Sequence, residues 1–231
     1  MFNKFTFNHN KDSKVFFTSD THFFHDRSFI IEPRGFLDIA QHNEALIERW
    51  NGVVGINDNV IHLGDFLVGA GNDSFKCGQS VLFRLNGHIH LTWGNHNAYV
   101  KEIYKATVKE LFPPANDVTE IYPITYQNKI TFYGNNLLAK IKGENYSQYI
   151  FCSHFAHRIW IDSHKGDVWH LSGHSHGSDA ESQPEFKEAA RLDVGVDNFP
   201  APLSFEDLAK IMRSKSTKVF DHHNKNCSPS F

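Results

Sequence analysis

The feature that most constrains the fold is a repeated junction, in which a short apolar run ends in glycine or a small polar residue and an Asp, Asn or His follows. Five such junctions occur along the chain, at Asp20, Asp65, Asn95, His154 and His174. The runs before them have the length and the β-branched and aromatic content of buried strands. Ligands of open α/β sheets bind at the carboxyl ends of strands, so the pattern predicts an α/β fold with a ligand site there.

The remaining elements follow from apolar spacing and from turn residues. Strands are predicted over residues 14–18, 59–63, 88–93, 149–153, 168–172 and 190–196, with a hairpin of 120–126 and 129–133. Helices are predicted over residues 39–53, 75–85, 100–112 and 204–213, the last capped by Ser204. We find no internal repeat or linker, so residues 1–213 are predicted to form a single domain and residues 214–231 a flexible tail.

Histidine is abundant, at 16 of 231 residues, whereas cysteine occurs only three times. Cys77, Cys152 and Cys227 are widely separated and form no C-x-x-C pair, which argues against a disulfide framework and against a zinc ribbon. The composition favours metal binding through imidazole and carboxylate groups, in a protein of the reducing cytoplasm.

The net charge and the hydropathy of the chain limit the classes of partner that we expect. The 23 basic and 26 acidic residues give a net charge of −3, without a basic stripe, so we expect no long nucleic acid as a partner. No apolar run approaches the roughly 18 residues that a membrane span requires, so we expect no membrane partner. The sequence leaves the oligomeric state open.

Two triplet patterns in this chain are rarer than its histidine content explains. Gly94-Asn95-His96 and Gly173-His174-Ser175-His176 each follow a predicted strand. A chain of this composition would contain either pattern by chance fewer than about one time in ten. Pairs such as D-x-H are expected about once by chance and decide nothing alone.

Taken in chain order, these junctions resemble the five motifs of the calcineurin-like metallophosphoesterase superfamily. The motifs are Asp20-x-His22, Gly64-Asp65, Gly94-Asn95-His96, Ser153-His154 and Gly173-His174-Ser175-His176. Longer phrases, among them TSDTHFFH, SGHSHG and LDVGVDNF, are similar to the short bacterial and phage branch of that family. The resemblance implies an α/β fold in which a β-sandwich of two mixed sheets is flanked by helices, with a metal site at the strand ends.

The resemblance also implies a ligand set for two divalent transition-metal ions. Residues two apart on an extended segment project to one side, so each D-x-H or H-x-H pair can present two ligands. The first ion would be bound by Asp20, His22 and His176, and the second by Asn95, His154 and His174. Asp65 would bridge them through its two oxygens. Nitrogen and oxygen donors without thiolate suit manganese, iron, zinc or nickel.

His96 is predicted to be catalytic rather than a ligand, because the family places this histidine over the phosphate, where it contacts a phosphoryl oxygen or the leaving group. The family pattern has an acidic residue next, whereas this chain has Asn97. An amide can fix the imidazole tautomer but cannot raise its pKa. We therefore expect His96 to act as a neutral hydrogen-bond donor.

Three further residues lie close to the motifs along the chain. His25, His157 and Arg158 are candidates for substrate binding, with a solvated loop position as the equal alternative. His62 is expected to be a packed, hydrogen-bonded residue. The H-x-H pair of His88 and His90 could suggest an amidohydrolase, but that fold needs a longer barrel.

The function that these expectations favour is hydrolysis of a small phosphodiester or nucleotide by a hydroxide that bridges two metal ions. A phosphodiesterase is favoured over a phosphomonoesterase. The alternative is a metal-binding or scaffold protein of the same fold without turnover, for which Asn97 is the one supporting feature. An HD-type phosphohydrolase is supported only by His25-Asp26, without the helical context that this motif requires.

Overall fold

Two mixed sheets form the centre of the molecule. The structure, a computed structural model, describes residues 3–68, 74–111, 122–178 and 189–215. The strands in these ranges are β1 Asn3–Asn8, β2 Val15–Thr18, β3 Asn59–His62, β4 His88–Leu91, β5 Ile124–Tyr126, β6 Ile130–Phe132, β7 Asn136–Lys142, β8 Ser147–Ser153, β9 Val168–Ser172, β10 Arg191–Asp193 and β11 Leu203–Ser204. The helices are α1 Ser28–Ile31, α2 Ile39–Asn51, α3 Ser74–Leu82, α4 Ala98–Leu111 and α5 Phe205–Arg213.

The strand order brings the predicted junctions to the middle of the sheets. One sheet has the order β11-β2-β3-β4-β6-β5 and the other has the order β1-β7-β8-β9-β10. Strands β2, β3 and β4 are parallel neighbours, and so are β8, β9 and β10. Their carboxyl ends therefore open at one edge of each sheet. This arrangement confirms the predicted fold of two mixed sheets flanked by helices.

The central strands are buried on both faces, which explains their continuous apolar sequence. Phe16 and Val60 pack with helices α2, α3 and α4 on the outer face of the six-stranded sheet. Phe17 and Ile61, the next residues along each strand, lie in the second core cluster with residues of the other sheet and of α5. Alternation along a strand thus builds two separate core layers.

Most predicted elements are confirmed within a few residues of their expected ends. The hairpin of β5 and β6 is antiparallel, and its turn residues Gln127 and Asn128 have φ of 46° and 50°, as the tight hairpin turn requires. Ser204 accepts a hydrogen bond from the amide of Asp207 and caps α5, as predicted.

The sequence analysis missed β1 and β7, which pair in parallel over their whole length. Strand β1 is mostly exposed, and β7 contains the helix-favouring residues Leu, Ala and Lys, so neither has a distinct strand pattern.

The predicted tail lies outside the described residues beyond Lys215. The single domain over residues 1–213 stays a prediction. Among the helices that the structure describes, none is long and apolar enough to cross a bilayer.

Several histidines that carry no metal-site motif are part of the core. His62 is buried and hydrogen-bonded to Thr21 Oγ1 at 3.0 Å, as predicted. His90 lies 2.9 Å from Asn59 Oδ1 through its Nε2 atom, and its Nδ1 atom is 3.1 Å from the Tyr133 hydroxyl. Both ring nitrogens of His90 are therefore occupied by hydrogen bonds within the protein, so this residue of the H-x-H pair is explained without a metal.

His170 gives a testable consequence of such burial. Its Nδ1–H faces the Phe151 carbonyl oxygen at 3.0 Å, and its Nε2 accepts from the His157 amide at 2.9 Å, so both bonds need the neutral ring. Burial lowers its pKa from 6.5 to about 3. Below pH 6.5 the unfolded chain binds a proton that the folded chain does not, so this group makes the protein less stable as pH falls toward 3.

We predict that His170→Gln, which can keep one donor and one acceptor, flattens this pH dependence by about one proton. The change corresponds to at most ~1.4 kcal/mol per pH unit in the free energy of unfolding. Urea unfolding of both proteins between pH 7 and 4.5 measures it. Equal slopes would show that His170 does not titrate differently in the two states.

Candidate metal centre

The seven predicted ligands come together at the carboxyl edge of the two sheets. Asp20 and His22 follow β2, Asp65 follows β3, Asn95 follows β4, His154 follows β8, and His174 and His176 follow β9. Four of them are buried, namely Asp20, His22, Asp65 and His154, whereas Asn95, His174 and His176 are exposed. The cluster is thus closed toward the core and open toward solvent.

The first candidate donor set consists of Asp20, His22 and His176, which the structure brings together. One ligand atom from each lies within 4.8 Å of the others. Among the described residues, Asp20 Oδ1 and His22 Nε2 have no hydrogen-bond partner, although both are buried and 3.9 Å apart. Buried polar atoms are normally paired. Two unpaired acceptors aimed at one point fit a cation.

The second donor set consists of Asn95, His154 and His174. His154 Nδ1 lies 2.9 Å from the Leu63 carbonyl oxygen, to which it can only donate, so Nε2 carries the lone pair. That Nε2 lies 2.8 Å from Asn95 Oδ1, another acceptor, and His174 Nδ1 lies 3.0 Å from the same oxygen. Burial lowers the pKa of His154 and keeps the ring neutral. The close approach of His154 Nε2 and Asn95 Oδ1, two acceptors, fits a second cation.

Asp65 lies between the two sets. Its Oδ2 atom is 3.6 Å from His22 Nε2 and 3.5 Å from His154 Nε2, so a single oxygen faces both. The other oxygen, Oδ1, accepts a hydrogen bond from the His96 amide at 2.7 Å. Oδ1 thus anchors the loop that carries Asn95 and His96, and the bridging of two ions by Asp65 stays a prediction.

Five of the seven donors have a left-handed backbone conformation, which is unusual for residues with a side chain. They are Asp20, His22, Asp65, His174 and His176, with φ between 48° and 69°. Each such residue costs about 1 kcal/mol or more and persists only where its surroundings fix it. The strain is confined to tight turns that aim consecutive side chains into the site.

Two glycines allow the close approach of these turns. A Cβ atom on Gly94 would collide with the Asp65 carboxylate and amide, and one on Gly173 would collide with Ser19 and Asp20. The glycines in the motifs are therefore required by contact with the buried carboxylates.

Burial dominates the electrostatics of the site. It raises the pKa of Asp20 to about 7 and holds the pKa of His22 far below its ordinary value. The hydrogen bond to Asp197, in contrast, raises the pKa of His176. Neutral imidazole is the form that binds a cation, and a cation would offset the cost of a buried, ionised Asp20.

The sequence analysis missed two residues that hold His176, namely Arg34 and Asp197. His176 Nδ1 donates to Asp197 Oδ2 at 2.8 Å, which leaves Nε2 free for a cation. Arg34 donates to both Asp197 oxygens at 2.8 Å and also to the Asp20 carbonyl oxygen at 2.8 Å. Burial opposes ionisation of Asp197, but the bonds from His176 and Arg34 keep its pKa well below the usual range. The phrase LDVGVDNF contained Asp197, yet no local pattern shows its partner.

His96 lies exposed at the mouth of the site, with its ring 5.6 Å from that of His22 and 5.4 Å from that of His25. Asn97 does not fix its tautomer, contrary to the sequence analysis. Both atoms of the Asn97 amide are bonded to Gly94, accepting from its N–H at 3.1 Å and donating to its carbonyl oxygen. Asn97 therefore closes the loop instead.

The three proposed substrate-binding residues differ in placement. His25 is buried, and its Nδ1 atom lies 3.0 Å from His22 Nδ1, so it contacts a ligand of the first set directly. His157 is hydrogen-bonded to Ser153 Oγ at 3.1 Å and packs on the ring of Phe151. Arg158 is exposed on the same loop. Substrate binding by these residues stays a prediction.

A two-sheet sandwich that presents carboxylate, imidazole and amide donors at its strand ends defines the metallophosphoesterase class. The sequence profile described as calcineurin-like phosphoesterase matches residues 13–201. The chain therefore belongs to the calcineurin-like phosphoesterase family.

The chain is also similar to two proteins whose descriptions give no function. The protein MJ1445 of Methanocaldococcus jannaschii, described as uncharacterized, is 35% identical over 86 residues, which are 37% of this chain and 48% of that protein. The match thus spans about half the length of the curated relative. The crystal structure of AQ665 from Aquifex aeolicus, a protein of unknown function, superposes with a TM-score of 0.56 at 20% identity, covering 86% of this chain and 99% of that one. This likeness concerns the fold.

We predict that Asp197→Asn weakens cation binding by about 10-fold or more, because the amide loses the charge that orients His176 and the Arg34 pair. Calorimetric titration of the metal-free protein with Mn²⁺ measures the change. Asp167→Asn, at an exposed carboxylate beyond the opposite end of β9, is the matched control. Unchanged affinity in Asp197→Asn would exclude the orienting role.

A second prediction concerns Gly94→Ala. The added methyl group collides with the Asp65 carboxylate, so we expect the metal content after reconstitution to fall by at least about half. Elemental analysis gives the stoichiometry. Gly143→Ala is the control, because its methyl group meets only the half-exposed ring of Tyr146. Full metal content in Gly94→Ala would contradict the close approach seen here.

Proposed function

We propose that the protein hydrolyses a small phosphodiester or nucleotide with the aid of two divalent transition-metal ions. The observation that carries this proposal is the position of Asp65 Oδ2, within 3.6 Å of one imidazole from each donor set. A single carboxylate oxygen between two sets of nitrogen and oxygen donors suits a pair of cations about 3.5–4 Å apart.

The donor chemistry supports transition metals. Asp20, His22, His176 and Asp65 would hold one ion, and Asn95, His154, His174 and Asp65 the other. Four imidazoles without thiolate suit manganese, iron, zinc or nickel better than magnesium. When bound, such a pair supplies Lewis-acid activation of water and neutralises charge on the phosphoryl oxygens.

The chain itself contributes a hydrogen-bond donor, His96, and a loop that holds it at the site. His96 is held by its backbone amide on Asp65 Oδ1, so its exposed ring stays at the mouth of the site. From there the ring can donate a hydrogen bond to a phosphoryl oxygen or to the departing alkoxide. No acidic residue follows it, and the Asn97 amide is bonded to Gly94 rather than to the His96 ring.

The preference for a diester rests on the supply of positive charge. Arg34 is the cationic side chain that contacts this site. Its guanidinium already donates two hydrogen bonds to the Asp197 carboxylate, which offsets its charge. A monoester dianion would demand more compensation than a diester monoanion. We therefore propose that diesters are preferred.

We predict that the Mn²⁺-reconstituted protein hydrolyses bis(4-nitrophenyl) phosphate faster than 4-nitrophenyl phosphate. Excess chelator should abolish both activities. Asp65→Asn should lower kcat by about 10²–10³-fold, because it removes the charge between the two donor sets. Release of 4-nitrophenol measures all three effects.

Asp167→Asn, at an exposed position, is the control and should retain the parent rate. Activity that persists in chelator, or equal rates for Asp65→Asn and the parent, would refute the proposal. Tight metal binding without turnover of either ester would favour the scaffold alternative.

A further inference from the structure

A cavity of about 290 Å³ lies beside the second donor set, between the end of β4 and helix α4. Its volume suits one small group rather than a whole ligand of drug size. Its walls are formed mainly by Trp93, Gly94, Lys101, Tyr104, Lys105 and Tyr122. Apart from Gly94, none of these residues belongs to the metal centre described above.

Gly94 connects the cavity to the metal centre. It lines the cavity, and it is also the residue whose missing side chain lets the backbone pack against Asp65. The next residue, Asn95, points its Oδ1 atom at His154 Nε2, 2.8 Å away. A group held in the cavity would therefore lie next to the second donor set.

The cavity combines an aromatic wall with two cations. Trp93 and Tyr104 are buried, and Tyr104 stacks on Tyr122 at 5.3 Å between ring centroids. Lys101 and Lys105 are one helical turn apart on α4, and both are exposed at the rim. An ammonium group beside an apolar wall attracts an anion more strongly than one in open water.

The two lysines are not equivalent. Lys105 Nζ is paired with Glu102 Oε1 at 2.9 Å, which offsets part of its charge. Lys101 has no ion pair with any of the residues that the structure describes. Lys101 is therefore the principal cation of the cavity.

Another cavity, of about 250 Å³, borders the first donor set and includes Arg34 and Asp197. There the guanidinium is already held by the carboxylate in two hydrogen bonds. An incoming anion would have to displace Asp197, which also holds His176. The cavity at α4 is the better anion site.

We propose that the cavity at α4 is a leaving-group subsite that selects phosphodiesters whose leaving group carries its own negative charge, such as a carboxylate or a second phosphate. This inference rests on the proposed hydrolysis. In that reaction water adds across the P–O bond: its oxygen bonds to phosphorus, and the leaving oxygen departs with a proton as an alcohol or phenol. Lys101 would bind the anionic part of that departing molecule.

The test compares two substrates of nearly the same shape, methyl 4-carboxyphenyl phosphate and methyl 4-carbamoylphenyl phosphate. They differ in the charge of the leaving group. The carbamoylphenol is the better leaving group, so the readout is the change in the carboxylate-to-amide ratio of kcat/KM when Lys101 is replaced. Relative to the Mn²⁺-loaded parent, Lys101→Ala should lower this ratio about 5-fold, the effect of a partly exposed ion pair, chiefly through KM. Lys101→Glu should lower it further.

Lys109→Ala is the matched control, since Lys109 lies on the same helix and is exposed but does not line the cavity. It should keep the parent ratio. An unchanged ratio in Lys101→Ala overturns the proposal, even where the variant loses activity equally with both substrates, because the lysine stem would then serve only to cover the aromatic wall.

A binding measurement separates this inference from the proposed function. The leaving groups themselves, 4-hydroxybenzoate and 4-hydroxybenzamide, are titrated into the full chain in chelator, and amide chemical shifts are followed. If the parent hydrolyses neither ester, the proposed function fails, and preferential binding of the benzoate, lost in Lys101→Ala, still supports an anion site. Equal binding of the two compounds, or none, overturns it.

Discussion

The contact between buried carboxylates and glycine backbone at the strand ends is the constraint on which the site depends. Asp65 packs against Gly94, and Asp20 packs against Gly173, so closely that a methyl group fits in neither place. The carboxylates are held by backbone amides as well, since Asp65 Oδ1 accepts from His96 and Asp20 Oδ2 accepts from His174 at 3.0 Å. Hydrogen bonds from the backbone position these anions without using side chains that the donor sets need.

The contacts of Asp20 with Gly173 and His174 also join the two sheets. Asp20 and Asp65 follow strands of the six-stranded sheet, whereas His154 and His174 follow strands of the other. His154 reaches across to the Leu63 carbonyl oxygen, which also fixes the tautomer that leaves Nε2 free. The geometry of the site is therefore a property of how the sheets pack, and core residues such as Phe17 and Ile61 support it from beneath.

The sequence could predict that these polar residues meet at the strand ends, because each motif is local: a strand, a tight turn and a polar side chain within a few positions. It could not predict Arg34 or Asp197, whose pairing spans 163 residues. Strand β1 was not predicted for a related reason: its partner β7 lies far along the chain, and most of the side chains of β1 are exposed. Asn97 shows a different limit, since its amide could satisfy either His96 or Gly94, and only the loop geometry decides.

The long separation between the donors has a consequence for how the centre is assembled. The bond from His174 to Asp20 closes a loop of 154 residues, and each donor set contains residues from both sheets. In a zinc finger the ligands are near neighbours, and the metal drives folding of a short segment. Here the donors are far apart along the chain, so bringing them together costs conformational entropy. The packing of the two sheets must offset that cost before the site can form. A cation bound at this site would therefore depend on the packed fold rather than nucleate it.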